Sequence, residues 1–115
     1  MYFQVQYKVG EVVRWTEGKV TGVIVGWDEK AKFPAHEMYE EKIAKHKDLP
    51  HYLIVMDSTE AQVVYDQLRY LAQPDIELVE PPKRIFSMAV SKYFEHFHNG
   101  RYLMRPWLQQ IYPRG

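Results

Sequence analysis

Apolar residues recur mostly at period two or in short unbroken runs along this chain, and that predicts a β-rich fold. Val9 to Trp15 alternates after Gly10, with Val13 and Trp15 on one face, and reads as a strand. Glu17-Gly18-Lys19 is a turn signal and Lys19 to Trp27 a second strand, so the two form an antiparallel hairpin. Within that strand, Gly22-Val23-Ile24-Val25-Gly26-Trp27-Asp28 is a β-branched run bracketed by glycines, which mark a bulge or a close backbone approach. Tyr52 to Asp57 is apolar enough to be a buried strand. Asp57 to Glu60 reads as a polar turn, and Ala61 to Tyr65 as the partner strand of a second hairpin. Asp66 is placed to cap one helical turn over 67–70. Ile76 to Val79 is a short closing strand, ended by Pro81-Pro82.

Helical spacing occurs in three places. Met38, Tyr39, Ile43 and His46 predict a helix from about 36 to 46, led in by Pro34 and ended before Pro50. Phe86, Val90, Tyr93, Phe94 and Phe97 form one stripe, which predicts a helix from Arg84 to Phe97 terminated by Asn99-Gly100. Trp107, Leu108 and Ile111 predict a last helical turn before Tyr112-Pro113. The fold class is mostly β with helices (α+β): five or six short strands in a partly open antiparallel barrel, with a C-terminal helix. The expected core is Val13, Val23, Val25, Leu53, Val55, Val64, Leu68, Val90 and Phe94. Residues 1–6 read as an extra strand or a tag remnant.

Length and composition narrow the function. At 115 residues the chain is the size of one domain that can bury a core without covalent staples. It has no cysteine, which removes disulfides, thiol nucleophiles and zinc–thiolate sites. No apolar run is long enough to cross a bilayer, and no signal-like segment leads the chain, so no membrane partner and a cytoplasmic or nuclear location are expected. Net charge is zero but uneven: residues 1–80 carry 9 Lys/Arg against 14 Asp/Glu, whereas 81–115 carry 6 against 1. The plainer explanation is two halves that attract each other. The sharper one is a basic binding face. Nine Tyr, five Phe and three Trp exceed what a core of this size needs, which places some rings in contact patches.

Catalytic groupings are lacking. A helical His96-Phe97-His98 turns its imidazoles apart, whereas on a strand the pair would share a face and suit a metal. The helical context therefore argues against metal, and no cofactor is expected. Asp57-Ser58 reads as a turn and Asp28 as a loop tie, so no catalytic residue is named and the chain is not expected to be an enzyme. Nucleic-acid binding needs cations for phosphates and rings for bases. Arg101, Tyr102, Arg105 and Trp107 supply both, and Lys83, Arg84 and Lys92 would extend the track. The favoured competing reading spends Tyr102 and Trp107 as core, with the arginines solvated or paired with acids of the barrel. A small-ligand pocket lined by Trp27, Tyr52 and Tyr65 at the barrel mouth is a third option.

Several segments together carry a family resemblance. They are Tyr7-Lys8-Val9-Gly10-Glu11-Val12-Val13-Arg14, Gly22 to Asp28, His51-Tyr52-Leu53-Ile54-Val55, Val64-Tyr65-Asp66-Gln67-Leu68 and Ile76. In these the chain resembles the YccV-like, or hemimethylated-DNA-binding, domain over about residues 7–113. Its end, with Tyr93-Phe94, Phe97, Gly100-Arg101-Tyr102 and Tyr112-Pro113, is similar to the version at the C-terminus of a eukaryotic F-box protein. The resemblance implies a single SH3-like barrel domain and a non-enzymatic binding module. Its implied partner is a protein, in an F-box-type ubiquitin-ligase adaptor. The alternative is (hemimethylated) DNA, bound through the basic C-terminal segment.

Overall fold

The computed structural model describes residues 4–32 and 46–115. Its elements run β1 (Val12–Trp15), β2 (Val20–Asp28), β3 (His51–Met56), α1 (Ser58–Ala61), β4 (Gln67–Ala72), β5 (Ile76–Leu78), α2 (Val90–Tyr93), β6 (Phe94–His98), β7 (Arg101–Met104) and α3 (Pro106–Ile111). Five strands form one antiparallel sheet in the order β4-β3-β2-β1-β5. A separate two-stranded ribbon pairs β6 with β7. The sheet bends strongly, so that the Arg69 guanidinium of β4 lies 4.0 Å from the Trp15 ring centroid of β1, three strands away. Its edge strands β4 and β5 do not pair, so the sheet is mostly β as expected but not closed into a barrel.

The first hairpin forms as its pattern predicts, with Val12 facing Val23 and Trp15 facing Val20. In β2 the register against β3 shifts between Ile24 and Gly26, the bulge that the glycines signal. A side chain at Gly26 would press on the Tyr112 hydroxyl at 2.9 Å. Buried residues of the sheet meet Val9, Ile85, Ala89, Phe94, Tyr102 and Leu108 in one core. Five of the expected core residues are buried: Val13, Val23, Val25, Val55 and Phe94. Leu53 and Val90 are half-buried.

Two expectations fail, each for a local reason. The second hairpin does not close over 57–60. Asp57 Oδ1 accepts the Glu60 N–H at 3.0 Å, which winds Ser58–Ala61 into a helical turn ended by Gln62 at φ 58°. The chain then travels five more residues before it pairs. The partner of β3 is therefore Gln67–Ala72, where a helical turn was expected, and Val64, Tyr65 and Leu68 are exposed.

The long helix over 84–97 is also replaced. Only Val90–Tyr93 is helical, and the chain turns extended at Phe94. Asn99 and Gly100 both take positive φ, 50° and 78°, which is the backbone of a two-residue hairpin and not of a helix cap. The helix expected over about 36–46 falls, apart from its last residue, outside the described residues. No strand forms over 4–6, although Gln6 N–H donates to the Tyr52 hydroxyl at 3.0 Å. No helix among the described residues is long and apolar enough to cross a membrane.

Two buried polar groups make the fold testable. Burial pushes the His51 imidazole below its ordinary 6.5, opposed by the hydrogen bond between Nδ1 and the Leu49 carbonyl at 2.8 Å. His51 Nε2 is buried with no partner. The unfolded chain thus takes up this proton first as pH falls, so stability drops through the window below about 6.5. Urea titrations between pH 8 and 5 should show that loss, and His51→Leu should flatten it. Asp57 has a different role: it caps α1 and its Oδ2 accepts the Phe86 N–H at 2.9 Å, while Lys83 Nζ lies 3.8 Å away. Asp57→Ala should cost about 1–3 kcal/mol by urea denaturation, the sum of a lost cap and a part-buried N–H left unpaired. Val64→Ala should stay within about 0.5 kcal/mol, as an exposed position does.

Candidate nucleic-acid interface

The ribbon β6–β7 has one face on the core and one in water. Phe94 and Tyr102 point inward, and their rings pack at 5.3 Å, with Phe97 4.8 Å from Tyr102. The cross-strand pairs His96–Leu103 and His98–Arg101 lie outside. The register shifts between Phe94 and His96, so Glu95 is the extra residue of a bulge. Glu95, His96, His98 and Leu103 are exposed.

Two grooves flank this ribbon. One, of about 580 Å³, runs between Arg84, Phe86, Met88, Val90, Glu95 and Phe97. The other, of about 470 Å³, runs between His96, Arg101, Leu103, Gln109 and Arg114. Arg84 lines the first groove and Arg101 and Arg114 the second, with Glu95 in both. Arg84 lies over the Phe97 ring at 5.2 Å, a stacking that fixes the guanidinium plane while leaving the side chain exposed. Lys92 and Arg114 are exposed.

Of the seven residues expected to contact a partner, Arg84 lies over Phe97 and the other six divide into three groups. Lys92, Arg105 and Trp107 come together, because Trp107 Nε1 donates to the Lys92 carbonyl at 3.1 Å and Arg105 Nε to the Ser91 carbonyl at 2.5 Å. Trp107 remains 48% exposed and packs on Tyr93. Arg101 and Tyr102 are structural. Tyr102 is 5% exposed and its hydroxyl accepts the Ile85 N–H at 2.7 Å; Arg101 Nη2 donates to the Val9 carbonyl at 3.1 Å. Tyr102 is thus a core residue, as the favoured reading expects.

Lys83 stands apart, in an ion pair with Glu60 and near Asp57. Burial alone would raise the Glu60 carboxyl, but the hydrogen bonds from Lys83 and Thr21 outweigh it and hold the group below its usual range. Lys83 is therefore spent neutralising the sheet's own acids.

The three residues expected at a barrel mouth do not meet. Trp27 and Tyr52 are cross-strand partners, but Trp27 Nε1 donates to the Gly115 carbonyl at 2.9 Å and Tyr52 is fully buried against Tyr7 and Gln73. Tyr65 projects from the exposed 62–66 loop. None of the three lines either groove beside the ribbon.

Sequence reasoning passed over Phe86, Met88 and Arg114 as surface features. Phe86 is 69% exposed and Met88 86%, and the loop that carries them is tied to Asp66, whose Oδ1 accepts from Ser87 Oγ and the Ala89 N–H. Those bonds tie the loop that carries Val64 and Tyr65 to the loop that carries Phe86 and Met88. No sequence signal marked them, because Phe86 falls on the same helical stripe as Val90 and Tyr93. Among the described residues, no three His, Asp or Glu side chains converge as a metal cluster.

A family model described as hemimethylated DNA-binding protein YccV like matches residues 5–101. No curated protein and no solved structure matches the chain. The matched span takes in the whole bent sheet and the first strand of the ribbon, and on that match the chain belongs to the YccV-like family of hemimethylated DNA-binding proteins.

Proposed function

We propose that this chain binds duplex DNA through the outer face of the β6–β7 ribbon, with Arg84, Lys92, Arg105 and Arg114 on the phosphates. The observation that carries the reading is the ribbon itself: two strands outside the sheet, wet on one face, with Arg84 in the groove on one side and Arg101 and Arg114 in the groove on the other. The major groove of B-DNA is about 12 Å wide and admits a two-stranded ribbon. Cations beside such a ribbon neutralise phosphates and set its register, while side chains on its face reach base edges. The family description supports DNA over the adaptor role. The neutral net charge is no obstacle, because residues 81–115 carry six Lys/Arg against one acid and the distribution of charge matters more than its sum.

A protein partner is the second reading, and one observation favours it. Val64, Tyr65, Phe86 and Met88 are large apolar side chains left exposed on two loops that Asp66 ties together, and exposed apolar residues are what contact surfaces use. An F-box-type adaptor would dock through these side chains and not through the ribbon. Phe86→Ser with Met88→Ser would then abolish recovery of the protein partner and leave DNA binding unchanged.

Titration with hemimethylated, fully methylated and unmodified duplexes at two salt concentrations separates the readings. Hemimethylated duplex should bind tightest. Four phosphate contacts give a slope of log K on log salt of about −3 to −4. Lys92→Glu with Arg114→Glu should weaken all three duplexes together and flatten that slope by about 2. No binding to any duplex at low salt overturns the proposal.

A further inference from the structure

We propose that His96 and His98 form a two-imidazole chelate for a borderline divalent cation of the zinc, nickel and copper class, on the outer face of the ribbon. The chelate requires no DNA. A His-x-His sequence is a chelating pair only when both rings leave the backbone on the same side, as alternate residues of a strand do. Residues 96–98 are in β6, and the register there is regular: His96 faces Leu103, Phe97 faces Tyr102 and His98 faces Arg101. Phe97 turns inward onto Tyr102, which sends both imidazoles outward.

The spacing suits the ligand geometry. The ring centroids are 6.3 Å apart and the rings are inclined at 75°, so the side chains run out side by side without splaying. A metal held at about 2.0–2.1 Å from one nitrogen of each ring would sit about 3 Å from each centroid. Closing the pair onto it takes about 1 Å of χ rotation, open to two exposed side chains. Imidazole selects zinc, nickel and copper over magnesium or calcium. Water fills the remaining positions.

Charge around the pair also permits a cation. Arg101, the cross-strand neighbour of His98, sends its guanidinium away to the Val9 carbonyl. Arg84 is held over Phe97. Glu95 precedes His96 in the bulge, and the two line both grooves together, which places a carboxylate beside the site. Among the described residues it does not join the pair in a three-residue metal cluster.

The test uses untagged protein and zinc chloride. Isothermal titration should give one equivalent, and imidazole resonances of His96 and His98 should be the ones that shift in an NMR titration. His96→Ala and His98→Ala should each weaken uptake about a hundredfold, because the second imidazole then no longer acts within one chelate. His46→Ala, away from the ribbon, should leave it unchanged. Nickel should bind more tightly than zinc if the two imidazoles set the order, and copper more tightly still. Absence of zinc uptake, or uptake that survives in both ribbon variants, overturns the proposal. The NMR shifts of the unaltered protein decide the matter even where a variant misfolds.

Discussion

The ribbon depends on how closely one backbone can approach another at Gly10. Gly10 sits at φ 95°, in the left-handed region, and its carbonyl accepts the Tyr102 N–H at 3.0 Å. A side chain there would collide with the Tyr102 carbonyl, so only glycine lets β7 lie against the start of the sheet. Gly10 N–H in turn donates to the Ile24 carbonyl at 2.9 Å, which carries the contact into β2. Tyr102 completes the lock by filling the space between Phe94 and Phe97 and capping the Ile85 N–H. A two-stranded hairpin alone is marginal in water, and this anchoring makes it rigid.

Anchoring of one face leaves the other in solvent. The inner residues of β6 and β7 are consumed by the core, so the outward ones face solvent by alternation. The helix α3 continues from β7 and sets Trp107 and Arg105 against the α2 turn. The same chain that closes the core therefore arranges Lys92, Arg105 and Arg114 around the ribbon. Charge elsewhere is used internally: Lys83 with Glu60, and Lys32 with Asp28 at 3.2 Å. Asp28 also accepts from the Tyr70 hydroxyl at 2.6 Å, and burial together with that carboxylate holds the Tyr70 phenol above its usual range. These acids are part of the scaffold, and the basic third of the chain is what remains available outside it.

The sheet was legible in the sequence wherever apolar alternation met a turn residue. Val9 to Trp27 reads directly as a hairpin, and its bulge follows from Gly26. Ile76 and Pro106–Ile111 are equally plain. The ribbon was hidden because Phe86, Val90, Tyr93, Phe94 and Phe97 satisfy the helical period by coincidence. Their true order is a loop, one helical turn and a strand. The Asn-Gly pair held the answer, since the same two residues end a helix or turn a hairpin, and Arg101–Met104 is β-competent on its far side. Asp57 misled in the opposite sense: its side chain made a turn helical and moved the next strand along by six residues. The candidate site was read as a set of residue types, and the structure separates those types by burial. Tyr102 and Arg101 are anchors, Lys83 is paired, and Lys92, Arg105 and Trp107 are assembled at the surface.

The central claim is that the outward face of the ribbon is the working surface of this domain. It is tested most directly by mapping amide chemical shifts of the labelled protein while a hemimethylated duplex is added at low salt. The account predicts that the perturbed amides fall in 91–105 and around Arg84 and Arg114, with β4 and the 62–66 loop unmoved. Perturbations centred on Val64, Tyr65, Phe86 and Met88 with the ribbon silent would contradict it.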